Sequence, residues 1–305
     1  MVAFKDGLRS RLDLPEPLPS QLPAGYQRVG SIALLELAPA LREHRARIAL
    51  AARGALPWAT AIAERGPVRG ELRKPAVRAL WPSSRASLRT VHREDGIRYA
   101  LDLREVMFSK GNVKERHRIV PRAGEIVADL FAGIGYFALP LARAGARVYA
   151  IEKDPKAFAF LQENIALNRL VSIVPILGDC RRIALPEPAD RVLLGYFPRT
   201  ERYLPAALAA CKDRAVLHFH NAYRTAELWT RPEAEVRAAA RKAGFTVRLL
   251  NRRVVKPLSP SLRHAVLDVA VTRASRKRTS RSGRAPALAA KGRRLLLRQG
   301  ASARS

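Results

Sequence analysis

Cysteine is nearly absent. Two in 305 residues, Cys180 and Cys211, are too few for a disulfide framework or a four-cysteine zinc site. Histidine is scarce too, with only His218 and His220 close together. These alternate on one face of a predicted strand and read as packing residues, so no metal is expected. Long apolar runs are missing: none approaches the roughly 20 residues of a spanning helix. The opening Met1-Val-Ala-Phe-Lys-Asp lacks the apolar stretch of a signal peptide. A reducing, cytoplasmic setting without membrane attachment is the expectation. Acids are also in short supply, 26 against 56 Lys and Arg, for a formal net charge of +30. That imbalance favours a polyanionic partner, and nucleic acid over a membrane surface.

Hydrophobic residues are plentiful at 48%, enough for one large domain or two modest ones. From Ile126 the chain alternates strand and helix, a βαβ pattern that demands a mostly parallel sheet. Strands are expected over 126–132, 146–152, 172–178, 190–197 and 215–221, with a terminal pair near 246–255 and 264–272. Helices are expected over 136–143, 155–168, 200–210 and 231–243. This is the plan of class I S-adenosylmethionine enzymes, a Rossmann-like doubly wound α/β sheet. Taken alone, the pattern also permits an NAD-binding domain. Upstream, 1–25 is rich in proline and charge and reads as an extended arm. Residues 26–105 read as a small α+β domain, with a strand entered through Gly30 and helices over Ala38–Arg53 and Trp58–Glu64. Downstream, 274–305 carries Lys and Arg with no acid among them. It cannot bury enough surface to fold alone and is expected to be a disordered basic tail with RNA affinity.

The organising stretch is Asp129-Leu-Phe-Ala-Gly133-Ile-Gly135-Tyr-Phe137. An apolar run ends in Asp129, and a Gly-x-Gly turn opens a helix. Glycines there let backbone approach a ligand closely. Glu152 ends the next apolar run 19 residues after Gly133, a spacing that suits a carboxylate gripping ribose hydroxyls. Asp179, after the third strand, can accept from an adenine amine, and the backbone at Cys180 can meet the ring. Asp129 would repel a pyrophosphate but suits the ammonium of a methionine moiety. Three acids at successive strand ends therefore favour S-adenosylmethionine over NAD. Met107-Phe-Ser109-Lys-Gly-Asn112 feeds a helix that Ser109 or Asn112 can cap. Arg116, one helical turn on, is placed either for structure or to reach a ligand carboxylate.

Together with His92-Arg-Glu-Asp-Gly96 and Gly178-Asp179, these motifs resemble the tRNA wybutosine-synthesis aminocarboxypropyltransferases of archaea and eukaryotes. The resemblance runs from about Tyr26 to Arg273. It implies transfer of the 3-amino-3-carboxypropyl group of S-adenosylmethionine to C7 of 4-demethylwyosine at position 37 of tRNA(Phe), with the anticodon loop as partner. It further implies cofactor contacts from Ser109, Arg116, Glu152, Asp179 and Cys180, with no catalytic base assigned. His218, His220 and Tyr196 are the nearest options for that base. Arg116 and Cys180 stand where lysine and asparagine are common in the family. The tRNA guanine-37 N1-methyltransferases, the neighbouring branch, carry an asparagine after the fourth strand, where this chain has Gly195. A tRNA (guanine-37-N1) methyltransferase remains the enzymatic alternative, and an RNA-binding protein that has lost catalysis is the non-enzymatic one. The protein is expected to be a monomer, with residues 106–273 as its catalytic domain.

Overall fold

The computed structural model describes residues 3–108 and 113–274. Ser109, Asn112 and the basic tail beyond Ala274 lie outside the described residues. The expected extended arm is instead packed. Helix α1 (Phe4–Arg9) places Leu8 at 0% exposure, and Leu14 and Leu22 are buried in the same cluster. The prolines between them make turns that bring each leucine to a common core.

A hairpin follows, β1 (Gln27–Val29) and β2 (Ile32–Leu35). Gly30 turns it with φ +56 and does not enter a single strand. A 3-10 turn over Pro39–His44 then leads into helix α2 (Arg45–Ala55). The second expected helix is absent, because Ala61–Arg69 forms strand β3. It runs parallel to β2 and antiparallel to β4 (Lys74–Trp81). Ala61, Ile62, Ala63 and Glu64 are all buried, and an apolar run covered on both faces has no period to separate strand from helix. The expected stop at Gly66-Pro67 is a register shift between Arg65 and Val68, a place where a strand tolerates proline.

Hairpin β5 (Arg89–Glu94) and β6 (Ile97–Asp102) comes next, followed by helix α3 (Val113–Arg118). The main sheet then begins with β7 (Ile126–Asp129), α4 (Ala138–Arg143), β8 (Arg147–Glu152) and α5 (Pro155–Asn168). It continues with β9 (Ile173–Leu177), β10 (Ala189–Leu194), α6 (Leu204–Ala209) and β11 (Cys211–Arg224). Helix α7 (Thr230–Lys242) and strands β12 (Phe245–Pro257) and β13 (Leu262–Arg273) complete it. The spatial order is β12-β13-β11-β10-β7-β8-β9. Strands β7 to β11 are parallel, and β13 is antiparallel to both neighbours. Order reverses at β7, where a doubly wound sheet opens its ligand crevice.

The hairpin of β5 and β6 docks on α5 through two amides one helical turn apart. Asn164, fully buried, accepts from Ala100 N (2.6 Å) and donates to Ala100 O and Ile134 O. Asn168 accepts from Arg98 N (2.8 Å) and donates to Arg98 O (2.7 Å). Side-chain amides thus satisfy backbone groups that a further strand would otherwise meet. One buried cluster joins Val29, Ile32 and Tyr99 from the front of the chain to Val127, Leu139 and Leu161 of the main sheet.

Candidate active site

A cleft of about 430 Å³ opens at the carboxyl ends of the central parallel strands, within the usual range for a small-molecule site. Glu152 closes β8 and is the hub of its floor. Its Oε2 accepts from Gly133 N–H (2.7 Å) and its Oε1 from Asp154 N–H (2.7 Å). Each oxygen keeps a further lone pair. Burial pushes this carboxyl above its ordinary value. Gly133 has φ +57, and a Cβ there would lie 2.8 Å from the Tyr136 ring, so only glycine lets the turn close under the carboxylate. Gly135, with φ +100, faces Leu139 and Leu161 instead. It serves the packing of α4 on α5 and does not line the cleft.

Asp129 is also out of the cleft wall. It is fully buried, its Oδ1 accepts from Phe131 N–H (3.3 Å), and its Oδ2 meets no partner among the described residues. Burial pushes its carboxyl up to about 7. The expected ammonium contact is therefore not a direct wall contact here. Asp179 and Cys180 do line the cleft. Arg181 meets Asp179 with both Nε (2.9 Å) and Nη2 (2.5 Å), and Lys153 stands 3.4 Å away. That fork holds the Asp179 carboxyl well below the usual carboxylate range. Cys180 is buried, and burial pushes its thiol up to about 12, which makes it a wall and no nucleophile.

Arg116 reaches the cleft from α3 and is 3% exposed. Its Nε donates to Glu94 Oε1 (2.9 Å), and Nη2 reaches the same oxygen. One carboxylate therefore already answers the guanidinium that the sequence places on a ligand. Glu94, Asp95 and His117 also approach one another there, a grouping the spacing did not reveal, but Glu94 forms an ion pair with Arg116 and His117 hydrogen-bonds Asp95.

The two strand histidines are buried and line no cleft wall. Arg191 donates to His218 Nε2 (2.7 Å), so Nδ1–H donates to Asp268 Oδ1 (2.6 Å). Burial holds the His220 imidazole down at about 3. Neither is placed to take a substrate proton. Tyr196 does line the cleft, stacked on Phe131 with ring centroids 5.0 Å apart at 18° and edge-on to Tyr203. Its hydroxyl donates to Glu71 O (3.2 Å).

This aromatic wall had a partial signal, since Phe131 and Tyr196 each follow a strand end. Glu71, Arg73 and Lys256 had none, because the turn after β3 and the end of β12 reach the cleft only through the tertiary fold. The arrangement can hold a nucleoside by its ribose and stack a second flat ring on the aromatic side. Residues 90–249 match the TRM5/TYW2 methyltransferase domain, and 4–83 match the TYW2 N-terminal domain.

The chain belongs to the TRM5/TYW2 family. It is 40% identical over 263 residues to the tRNA(Phe) (4-demethylwyosine(37)-C(7)) aminocarboxypropyltransferase of Pyrococcus horikoshii, covering 85% of this chain and 93% of that one. The crystal structure of P. horikoshii TYW2 in complex with MeSAdo superposes with a TM-score of 0.77 at 37% identity, over 88% of this chain and 100% of that one. The tRNA (guanine(37)-N(1))-methyltransferase Trm5b of Pyrococcus abyssi is 30% identical over 87% of this chain and 80% of its own. The TRM5/TYW2 match to 90–249 takes in Asp129, Glu152, Asp179 and Gly195, whereas Glu71, Arg73 and Lys256 lie outside it.

Within this TRM5/TYW2 site, Asp129 has a titration consequence. A raised carboxyl means that the folded chain binds a proton more readily than the unfolded one between about 4 and about 7. Folding is thus favoured as pH falls through 7 and loses that contribution above it. Asp129→Asn removes the group. Its stability relative to the parent should rise by a few kcal/mol between pH 5 and pH 8, read from urea midpoints at each pH. A difference that does not change with pH would mean that Asp129 is ionised throughout.

Proposed function

We propose that this chain transfers the 3-amino-3-carboxypropyl group of S-adenosylmethionine to C7 of 4-demethylwyosine at position 37 of tRNA(Phe). The observation that carries the choice of reaction is Gly195, directly after β10. A Cβ there would lie 3.0 Å from the Phe137 ring. An asparagine, which the guanine-37 N1-methyltransferases use at this place to hold their base, would press its Cβ against that ring and require it to give way slightly.

The residues present fit the cofactor. Glu152 offers free lone pairs to ribose hydroxyls, the glycine at 133 leaves room above the turn, and the Cys180 backbone lies on the wall where an adenine would rest. When bound, S-adenosylmethionine supplies a γ-carbon activated by the neighbouring sulfonium, whose sulfur departs as a neutral thioether. Phe131 and Tyr196 present stacked ring faces for a flat tricyclic base, worth about 1–3 kcal/mol per stacked base. Holding the two reactants in line is the main work required, since an electron-rich ring carbon attacks without prior deprotonation. Among the described residues no histidine lines the cleft, and the Tyr196 hydrogen is committed to Glu71 O, so the C7 proton leaves to water. Among the described residues no helix is long and apolar enough to cross a membrane.

The test is product analysis with the full chain, S-adenosylmethionine and tRNA(Phe) carrying 4-demethylwyosine. Methylthioadenosine should appear in step with tRNA modification. With guanosine at position 37 turnover should be almost nil, because the attacking ring carbon is missing. S-adenosylhomocysteine together with 1-methylguanosine would replace this reading with the N1-methyltransferase.

A further inference from the structure

Three cations of the cleft wall, Arg65, Arg73 and Lys256, have no carboxylate to answer them among the described residues, and Arg65 donates instead to Gln27 Oε1. The other basic groups of the wall are paired: Lys153 with Glu71 (2.9 Å) and Arg116 with Glu94. Arg73 and Lys256 line the same cleft, and neither forms an ion pair among the described residues. The undescribed positions 1–2, 109–112 and 275–305 contain no Asp or Glu to supply one.

Arg73 is the more constrained of the two. It sits in the turn joining β3 to β4 with φ +51, a left-handed backbone that non-glycine residues adopt at a cost and that clusters at ligand clamps. Its guanidinium lies 4.8 Å over the Phe197 ring, and Nη1 donates to Phe197 O (2.9 Å). One bond to a carbonyl leaves most of the fork unspent. Lys256 is half-buried near the end of β12. Burial lowers its ammonium, and the like charges of Arg73 and Arg65 lower it further. Burial also lowers the Arg73 guanidinium. A half-buried arginine on a strained turn, near enough to a half-buried lysine of β12 for its charge to lower that ammonium, makes with it a site for an anion.

Its place selects the anion. Both residues stand on elements outside the central strands, whereas Glu152 and Asp179 occupy the strand ends where the nucleoside of the cofactor belongs. Phe197, under the Arg73 guanidinium, and Tyr196 line the same cleft and offer aromatic faces against which a base would enter. A base that enters this cleft brings its own phosphodiester past the rim. An arginine fork matches two phosphate oxygens, and an ammonium adds a point charge.

We propose that Arg73 and Lys256 clamp a backbone phosphate beside the target nucleotide of the RNA and so set how deep its base enters. This rests on the reading that the substrate is RNA, and it adds which residues hold it. The competing occupant is the carboxylate of the cofactor.

The experiment compares full-chain Arg73→Ala, Lys256→Ala and Arg73→Lys with the parent. It measures tRNA(Phe) binding by fluorescence anisotropy across a salt series and S-adenosylmethionine binding by calorimetry. Each alanine variant should weaken tRNA about tenfold and flatten the log–log salt slope by about 1, the signature of one lost phosphate contact. Cofactor affinity should stay unchanged, and Arg73→Lys should restore the slope. An unchanged slope in both alanine variants overturns the clamp. Weakened cofactor binding with unchanged tRNA binding assigns the pair to the carboxylate and overturns it equally. Binding is read without turnover, so a parent enzyme that fails to make methylthioadenosine would count against the proposed reaction and leave the clamp to be decided by the slopes. A variant that did not fold would be exposed by its thermal midpoint, and Lys256→Ala then decides alone.

Discussion

Asp268→Ala should destabilise the fold more than any other single change considered, by about 3–5 kcal/mol, the usual result of leaving buried charges without their partner. Asp268 is 4% exposed and holds three groups. His218 Nδ1 stands at 2.6 Å, Arg118 donates at 2.7 and 3.1 Å, and Arg253 donates at 3.4 Å. Arg253 in turn forks onto Glu115 (2.6 and 2.7 Å), and Arg191 links His218 to Glu125 (2.8 Å). Burial alone would raise the Asp268 carboxyl, but His218, Arg118 and Arg253 outweigh it and hold it well below the usual range. A depressed carboxyl stabilises the fold above the unfolded value near 4, and that contribution fades as pH falls below it. Calorimetry at pH 7 should show the midpoint of Asp268→Ala lower by roughly 10 °C, with the gap narrowing on strong acidification. A loss below about 1 kcal/mol would mean that water replaces the carboxylate. The cleft should feel the same change. Arg118 and Glu115 anchor α3 to β12 and β13 from two sides, and Arg116 lies between them in sequence.

Glu152→Ala should weaken S-adenosylmethionine by about 1–3 kcal/mol, the range for hydrogen bonds to a charged group, or from several-fold to a hundredfold in Kd. The upper end is favoured by geometry. The same carboxylate that would meet the ribose also holds Gly133 N–H and Asp154 N–H, each at 2.7 Å, so the variant loses the ligand contact and loosens the turn beneath it. Glu152→Gln keeps an acceptor for one of the two amides and should fall between. Equal affinity of parent and alanine variant in a titration would take Glu152 out of the site.

The central sheet was legible because its strands are short apolar runs punctuated by glycine or acid, and its helices carry a 3.6-residue period. Glu152 was legible for the same reason, being fixed by spacing within one βαβ unit. Asp129 and Gly135 show where that reasoning stops. A strand-end acid and a turn glycine have the same local pattern whether they face a ligand or the neighbouring helix, and only packing against Phe131, Leu139 and Leu161 separates the cases. Arg116 met Glu94, 22 residues earlier, a pairing that hairpin β5–β6 creates and no periodicity announces. The front of the chain was misread where alanine dominates. Ala61-Ile-Ala63 has no polar face to mark which way it turns, and pairing with β2 settled it as strand.

Strand β13 is the last element of the described chain to be made, yet it lies between β11 and β12, both made earlier. Synthesis order and spatial order are therefore inverted at this edge. Until Leu262–Arg273 emerges from the ribosome, β11 and β12 can present bare hydrogen-bonding edges, and Arg118 and His218 wait without the Asp268 carboxylate that meets them. Exposed edges of this kind invite pairing with other chains. A message truncated shortly before codon 262 would thus yield an aggregation-prone fragment, and a nascent-chain chaperone would matter most in the final moments of translation.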